Sequence, residues 1–223
     1  MTATHAFTLA GGHPVLDFVN TVEDWTVSER LDHLKSFADA ARFGEAAGVI
    51  SRREALQLEP GPRTRNARPG TRTPGARGFS RASGATELLQ LRRLRGSLEC
   101  VLRASLGGRR AAATDVAILR SSLVEAARGT ALVASADAPL ARRIAVESNG
   151  PAALRLRIVE DAIALLSSSA MRRVKACPTC GWFFLDVSKN QSRVWCSMDT
   201  CGARAKSRRY YRRTRRRHRS SQS

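Results

Sequence analysis

Residues 177–217 read CPTCGWFFLDVSKNQSRVWCSMDTCGARAKSRRYYRRTRRR, two cysteine pairs that run straight into a dense block of arginine. The pairs are spaced C-x2-C, then fifteen residues, then C-x4-C. A tight turn brings both thiolates of a C-x2-C pair to one side, and a second pair on a later turn or helix start completes a tetrahedron. Four soft thiolates favour Zn(II), with iron as the main competitor. Two disulfides or a free-thiol redox pair are the alternatives, and neither suits such a cluster in a reducing compartment. Cys177, Cys180, Cys196 and Cys201 are therefore the expected ligands of one Zn(2+) per chain. Four thiolates leave no open coordination position, so the metal is expected to build structure and not to catalyse.

Gly181 and Gly202 follow the two pairs and suit tight backbone. Between the pairs, the apolar run Trp182 to Leu185, a polar turn and a return strand ending at Trp195 are expected to form a hairpin. After Cys201 the chain lacks proline and later glycine and is rich in helix formers, which predicts a helix starting at the second pair. Arg204, Arg208, Tyr211 and Arg215 share one face of it by i, i+3 and i+4 spacing. Such a helix can enter a major groove or lie along phosphates, with Arg204, Lys206, Arg208, Arg209 and Arg212 as the expected contacts. The arginines beyond are read as a solvated tail that makes sequence-independent phosphate contacts.

The charge distribution agrees. Of the formal +19, fifteen Lys and Arg against two acids lie from residue 170 onward, and residues 60–84 add six arginines and no acid. The rest balances at 17 basic and 17 acidic side chains. A neutral body with two basic segments points to a polyanionic partner met at particular places. With 223 residues, 43% of them hydrophobic, the chain can bury a real core. No apolar run approaches the roughly 20 residues of a membrane span, and the N-terminus lacks the pattern of a signal peptide. A cytoplasmic protein without membrane association is expected.

The body reads as mostly helical. After turn signals at Gly11, Gly12 and Pro14, the run Val15 to Val19 suits a short strand or the first turns of a helix. Thr26 with Glu29 and Ser51 with Glu54 match the capping-box pattern, the first ahead of Leu31, Leu34, Phe37, Ala38 and Ala41, with Gly44 as a stop. Residues 60–84, rich in Pro, Gly and Arg, read as a disordered basic loop or as the trace of a frameshift. Leu88, Leu91, Leu94, Leu98, Val101, Leu102 and Leu106 trace a helix from Thr86, in which Cys100 reads as a small buried hydrophobe. Thr114 can cap another, with Val116, Leu119, Leu123 and Ala127 inward. The runs ALVAS and RIAVES suit strands. Pro151 opens a last helix with Leu154, Ile158, Ala162, Leu165 and Ser169 inward, which leads without a linker into the cysteines.

The cysteine pairs, the intervening FLDVS and WCSMDTCG with its downstream Arg and Lys resemble the CGNR zinc finger, a C-terminal module of bacterial transcription regulators. The family's name tetrapeptide is Cys-Gly-Asn-Arg, where this chain has Cys201, Gly202, Ala203 and Arg204. The segment GGHPVLDFVNT is similar to the start of the ABATE domain that precedes this finger. The resemblance implies a stress-linked regulator whose N-terminal domain senses a small-molecule effector or forms a homodimer.

The expected architecture is mainly α (α+β), with a helical domain over 1–170 and a treble-clef-like zinc finger with a basic tail over 171–223. The expected function is a duplex-DNA-binding transcription regulator. An RNA-binding or ribosome-associated protein is one rival, and an N-terminal metabolite-binding or enzymatic domain with the finger as a dock is another. Asp17, Asn20 and Thr21 carry the second rival as polar lining of a ligand pocket; the competing reading is that they close turns through backbone hydrogen bonds. His5, His13, His33 and His218 form no ligand pattern, and no catalytic triad, phosphate loop or carboxylate pair stands out, so no enzyme is expected.

Overall fold

Proline has a fixed φ and no amide hydrogen, and both suit the first position of a helix. In the computed structural model of the chain, which describes residues 7–58, 80–134 and 139–220, Pro14 opens α1 (Pro14–Val19). His13 Nδ1 caps it by accepting from the Val15 amide at 3.2 Å. The Val15 to Val19 run is thus helical, and its apolar side chains are all buried.

The helix expected after Thr26 and Glu29 does not begin there. The Thr26 amide donates to Asp24 Oδ1 at 2.8 Å, and the chain returns through an isolated bridge between Val22 and Asp32. The effective capping box is Ser36 with Asp39: the Ser36 amide donates to Asp39 Oδ2 at 2.7 Å, and the Asp39 amide to Ser36 Oγ at 3.2 Å. These residues open α2 (Phe37–Ala46), which runs through Gly44. A Cβ on Gly44 would come within 2.6 Å of Leu154 Cδ1, so this glycine permits close packing and is not a stop. The Ser51 and Glu54 box does form, with the Ser51 amide 2.8 Å from Glu54 Oε2, and opens α3 (Arg52–Leu58).

Ser80 caps α4 (Arg81–Leu106) by accepting from the Ser83 amide at 3.1 Å. The end of the expected loop over residues 60–84 is therefore a helix cap and first turn; whether the remainder is a loop or a frameshift trace concerns residues outside those described. Leu88, Leu91, Leu94, Leu98 and Leu102 form the buried stripe of α4, while Leu106 is exposed. Cys100 is also exposed, contrary to expectation, because it lies across the helix from Leu98 and Leu102.

In α5 (Ala113–Gly129) the cap is Ala112, without a side-chain bond, and Thr114 lies inside the helix. Leu119, Ser122 and Ala126 are buried and Val116 is exposed, so the inner face is turned from the one the larger residues suggested. Small side chains there allow close approach to neighbouring helices. Of the two expected strand runs, ALVAS gives β1 (Ala131–Val133), which pairs antiparallel with β2 (Ala141–Arg143), whereas RIAVES contributes Arg143 alone to that strand and then enters the short α6 (Val146–Asn149).

Pro151 caps α7 (Ala152–Leu166), around which α1, α4, α5 and α6 pack. Leu154, Ile158, Ala162 and Leu165 are buried as expected, whereas Ser169 is exposed and begins a 3-10 turn (Ser169–Arg173). Each fully buried Leu or Phe of this core contributes about 1.5–3 kcal/mol. Arg155 on α7 is buried against Glu87, with Nε 2.5 Å from Oε1, and also reaches Glu125 at 2.8 Å.

Arg157, on another face of α7, grips Glu54 on α3 through two bonds of 2.5 and 3.1 Å. The Arg157 guanidinium holds the Glu54 carboxyl at about 2, below its ordinary 4.5. A depressed folded-state pKa stabilises above the unfolded value and loses that stabilisation as the pH falls through the folded one. Glu54→Gln is expected to cost about 1.5–3 kcal/mol at pH 7. The difference in denaturation midpoint between the two proteins should shrink from pH 4.5 towards pH 2; a gap that stays constant across that range refutes the assignment.

Candidate metal centre and nucleic-acid interface

The 3-10 turn passes directly into β3 (Val174–Ala176), which pairs antiparallel with β4 (Phe183–Leu185) in the register Val174 to Leu185 and Ala176 to Phe183. The strand partner of the FFL run thus lies before the first cysteine pair, and no return strand forms up to Trp195. The hairpin carries Cys177 and Cys180 at its tip. Its turn is closed by the Cys177 amide on the Trp182 carbonyl at 2.7 Å and the Gly181 amide on the Cys177 carbonyl at 2.8 Å. Gly181 adopts φ +74, and a Cβ there would lie 3.0 Å from Trp25 Cβ, so glycine is required on both counts.

A buried carboxylate replaces the missing return strand. Asp186 accepts from the Ser188 and Arg193 amides, both at 3.0 Å, and from Lys175 Nζ at 2.7 Å. Burial pushes its carboxyl up, but Lys175 and Ser188 outweigh that and hold it below the usual carboxylate range. Lys175 also donates to the Gln191 and Arg193 carbonyls, and Arg193 to those of Trp195 and Cys196. This bracket delivers Cys196 to the first pair. Ser197 then accepts from the Thr200 amide at 3.3 Å and opens a π turn (Met198–Gly202) containing Cys201, from which α8 (Ala203–Ser220) continues.

The four Sγ atoms are buried and all lie within 4.8 Å of one another, with Cys196 3.6 Å from both Cys180 and Cys201. Zn–S bonds of about 2.3 Å imply sulfur separations of about 3.8 Å in a tetrahedron, so the donor set fits one ion. Without a cation the thiols compete for charge: hydrogen bonds from Cys180 and Cys196 pull Cys177 down, while Cys177 pushes Cys180 up to about 12 and Cys196 up as well. A dication removes that conflict. When bound, the metal ties the hairpin tip to the start of α8.

Asn20 bonds directly to this finger, while Asp17 and Thr21 bond to other groups of the N-terminal domain. Asn20 pairs with Phe183 of β4 as a second peptide would: its Nδ2 donates to the Phe183 carbonyl at 2.8 Å and its Oδ1 accepts the Phe183 amide at 2.9 Å. Asp17 Oδ1 accepts the Gly11 amide at 2.7 Å; burial pushes its carboxyl up to about 6, with that bond pulling the other way. Thr21 Oγ1 donates to the Phe18 carbonyl and accepts from Arg95, both at 2.7 Å. The Asp17 and Thr21 bonds to nearby backbone suit the turn-closing reading. The Trp25 amide on the Cys180 carbonyl at 3.0 Å, Trp182 Nε1 on the Val22 carbonyl at 2.6 Å and Arg103 on the Gly181 carbonyl at 3.1 Å extend the seam.

Along α8, Arg204, Lys206, Arg208, Arg209 and Arg212 project from the first three turns, and all five are exposed. Arg204, Arg208 and Arg212 recur at every fourth residue and share a face, whereas Lys206 lies across the helix from them. Ala203, in place of the family's Asn, is exposed in the first turn. Ser197 supplies the cap ahead of it, so the finger closes without the amide. The Asp186, Lys175 and Arg193 bracket was not foreseen from the sequence; Asp186, one of two acids in a strongly basic segment, was its signal.

Among the described residues no helix is long and apolar enough to cross a membrane. No curated protein matches the chain. Residues 173–214 match the CGNR zinc finger, and residues 12–169 match the ABATE family, described as "Putative stress-induced transcription regulator". With most of its length in that match and a buried four-cysteine site beyond it, the chain belongs to the ABATE family and carries a C-terminal CGNR zinc finger that binds one zinc ion.

Proposed function

We propose that the protein is a transcription regulator that binds duplex DNA through α8, with zinc fixing the start of that helix. The observation that carries this reading is the continuity of Cys201, the π turn and α8, whose arginines up to Arg212 are all exposed. A helix anchored at one end through a buried metal site keeps its orientation while its cationic face stays available to phosphates and base edges. The N-terminal domain sets the finger's position through the seam at Asn20, Trp25 and Trp182.

Arg204→Ala with Arg208→Ala is expected to weaken duplex binding and to flatten its dependence on salt, by about 0.9 in the log-log slope for each phosphate no longer neutralised. Zinc content and thermal midpoint should stay unchanged, because neither side chain is buried. Unchanged affinity and slope would move the function off this helix, and a preference for structured RNA over duplex DNA at matched salt would favour the RNA reading.

A further inference from the structure

A second basic feature lies outside α8. The 3-10 turn (Ser169–Arg173) and the stretch after β4 enclose a hollow of about 380 Å³ lined by Ser169, Arg172, Arg173, Leu185, Val187 and Gln191. Arg173 Nη2 donates to the Ser188 carbonyl at 2.8 Å, which holds the guanidinium in place. Its Nε is buried and has no hydrogen-bond partner among the described residues. Arg172 is exposed, and neither arginine has a carboxylate within ion-pair distance among the described residues. Asp186, whose amide donates to the Arg173 carbonyl at 2.9 Å, is spent on Lys175, Ser188 and the Arg193 amide.

Two neighbouring guanidinium groups with no carboxylate at ion-pair distance among the described residues favour an anion beside them. The hollow supplies no acceptor of its own charge type. Two arginines with a serine and a glutamine amide form a donor set suited to a tetrahedral oxyanion, which accepts from several donors at once. The apolar wall of Leu185 and the exposed Val187 suits the carbon side of an ester.

We propose that this hollow is a phosphate site that takes the oxyanion of a phosphate ester on Arg172 and Arg173. The ester is either a backbone phosphodiester of the nucleic acid or the phosphate of a small molecule. The first source rests on the DNA reading above and extends its footprint beyond α8; the second does not depend on it.

The test uses the zinc-loaded full chain in phosphate-free buffer at fixed ionic strength. Calorimetry with thymidine 5′-monophosphate and with inorganic phosphate reads the site without DNA, and duplex affinity over a range of KCl reads it with DNA. Arg172→Gln and Arg173→Gln are compared with the parent. Arg172 makes no hydrogen bond or ion pair among the described residues, so its replacement leaves the fold intact even if Arg173→Gln disturbs the Ser188 hydrogen bond.

Monophosphate binding that falls at least about tenfold in both variants, with an unchanged DNA salt slope, assigns a small phosphorylated ligand. A salt slope lowered by about 0.9 in each variant assigns a backbone phosphate. Monophosphate binding and salt slope that both match the parent overturn the proposal. If the parent does not bind DNA at all, the DNA reading fails and the monophosphate arm still decides this one.

Discussion

Chelating the zinc, or replacing Cys201 with Ser, is expected to unfold the finger and to lower the thermal midpoint of the whole chain by more than about 10 °C. Structural zinc in a four-ligand site contributes about 10–16 kcal/mol of apparent binding free energy near pH 7, and that energy is folding energy where the apo site is unstable. In a chain of this size each kcal/mol is worth about 2–4 °C, so loss of even half of it exceeds the stated shift. The effect spreads beyond the finger because the seam is continuous. Phe183 of β4 belongs to the main hydrophobic core, and the Trp25 and Val22 backbone bonds end on the knuckle itself. Metal analysis should give one zinc per chain for the parent and less than one for Cys201→Ser. A chelated protein that keeps its midpoint and its far-ultraviolet spectrum would remove the metal from the folding account.

The metal ligands were legible in the sequence because their signal is local: spacing of four cysteines needs no knowledge of the rest of the chain. Helix starts were legible only in part. Ser51 with Glu54 and Thr26 with Glu29 match the same pattern, yet only the first closes as a box, because Asp24 captures Thr26 in a turn instead. What decided between them is a competing side chain two residues back, outside the pattern. The strand pairing was missed for a different reason. Val174 to Ala176 is a short run with Lys175 in its middle, and its strand character comes from its partner across the knuckle, not from its own composition. Cys100 failed on phase: a residue between buried leucines in sequence lies on the opposite side of a helix from them.

Asn20 was the residue whose two readings, pocket lining or turn closure, the sequence left unresolved. The structure gives it a third and stronger role, since its amide occupies both backbone groups of Phe183, 163 residues away. Asn20→Ala should therefore strand a buried N–H and a buried carbonyl at the junction of α1 and β4. At about 1–3 kcal/mol for each unsatisfied group, the cost is about 2–6 kcal/mol. Asn20→Asp should not rescue it, because a carboxylate keeps the acceptor for the Phe183 amide but sets a second oxygen against the Phe183 carbonyl, where only a donor fits. Chemical denaturation measures the loss, and hydrogen exchange at the Phe183 amide locates it. Zinc release to a chelator should also quicken, because β4 carries one side of the knuckle that holds Cys177 and Cys180. A variant as stable as the parent, with protection at Phe183 intact, would mean that Asn20 does not hold the finger, and would return it to the role of ligand lining.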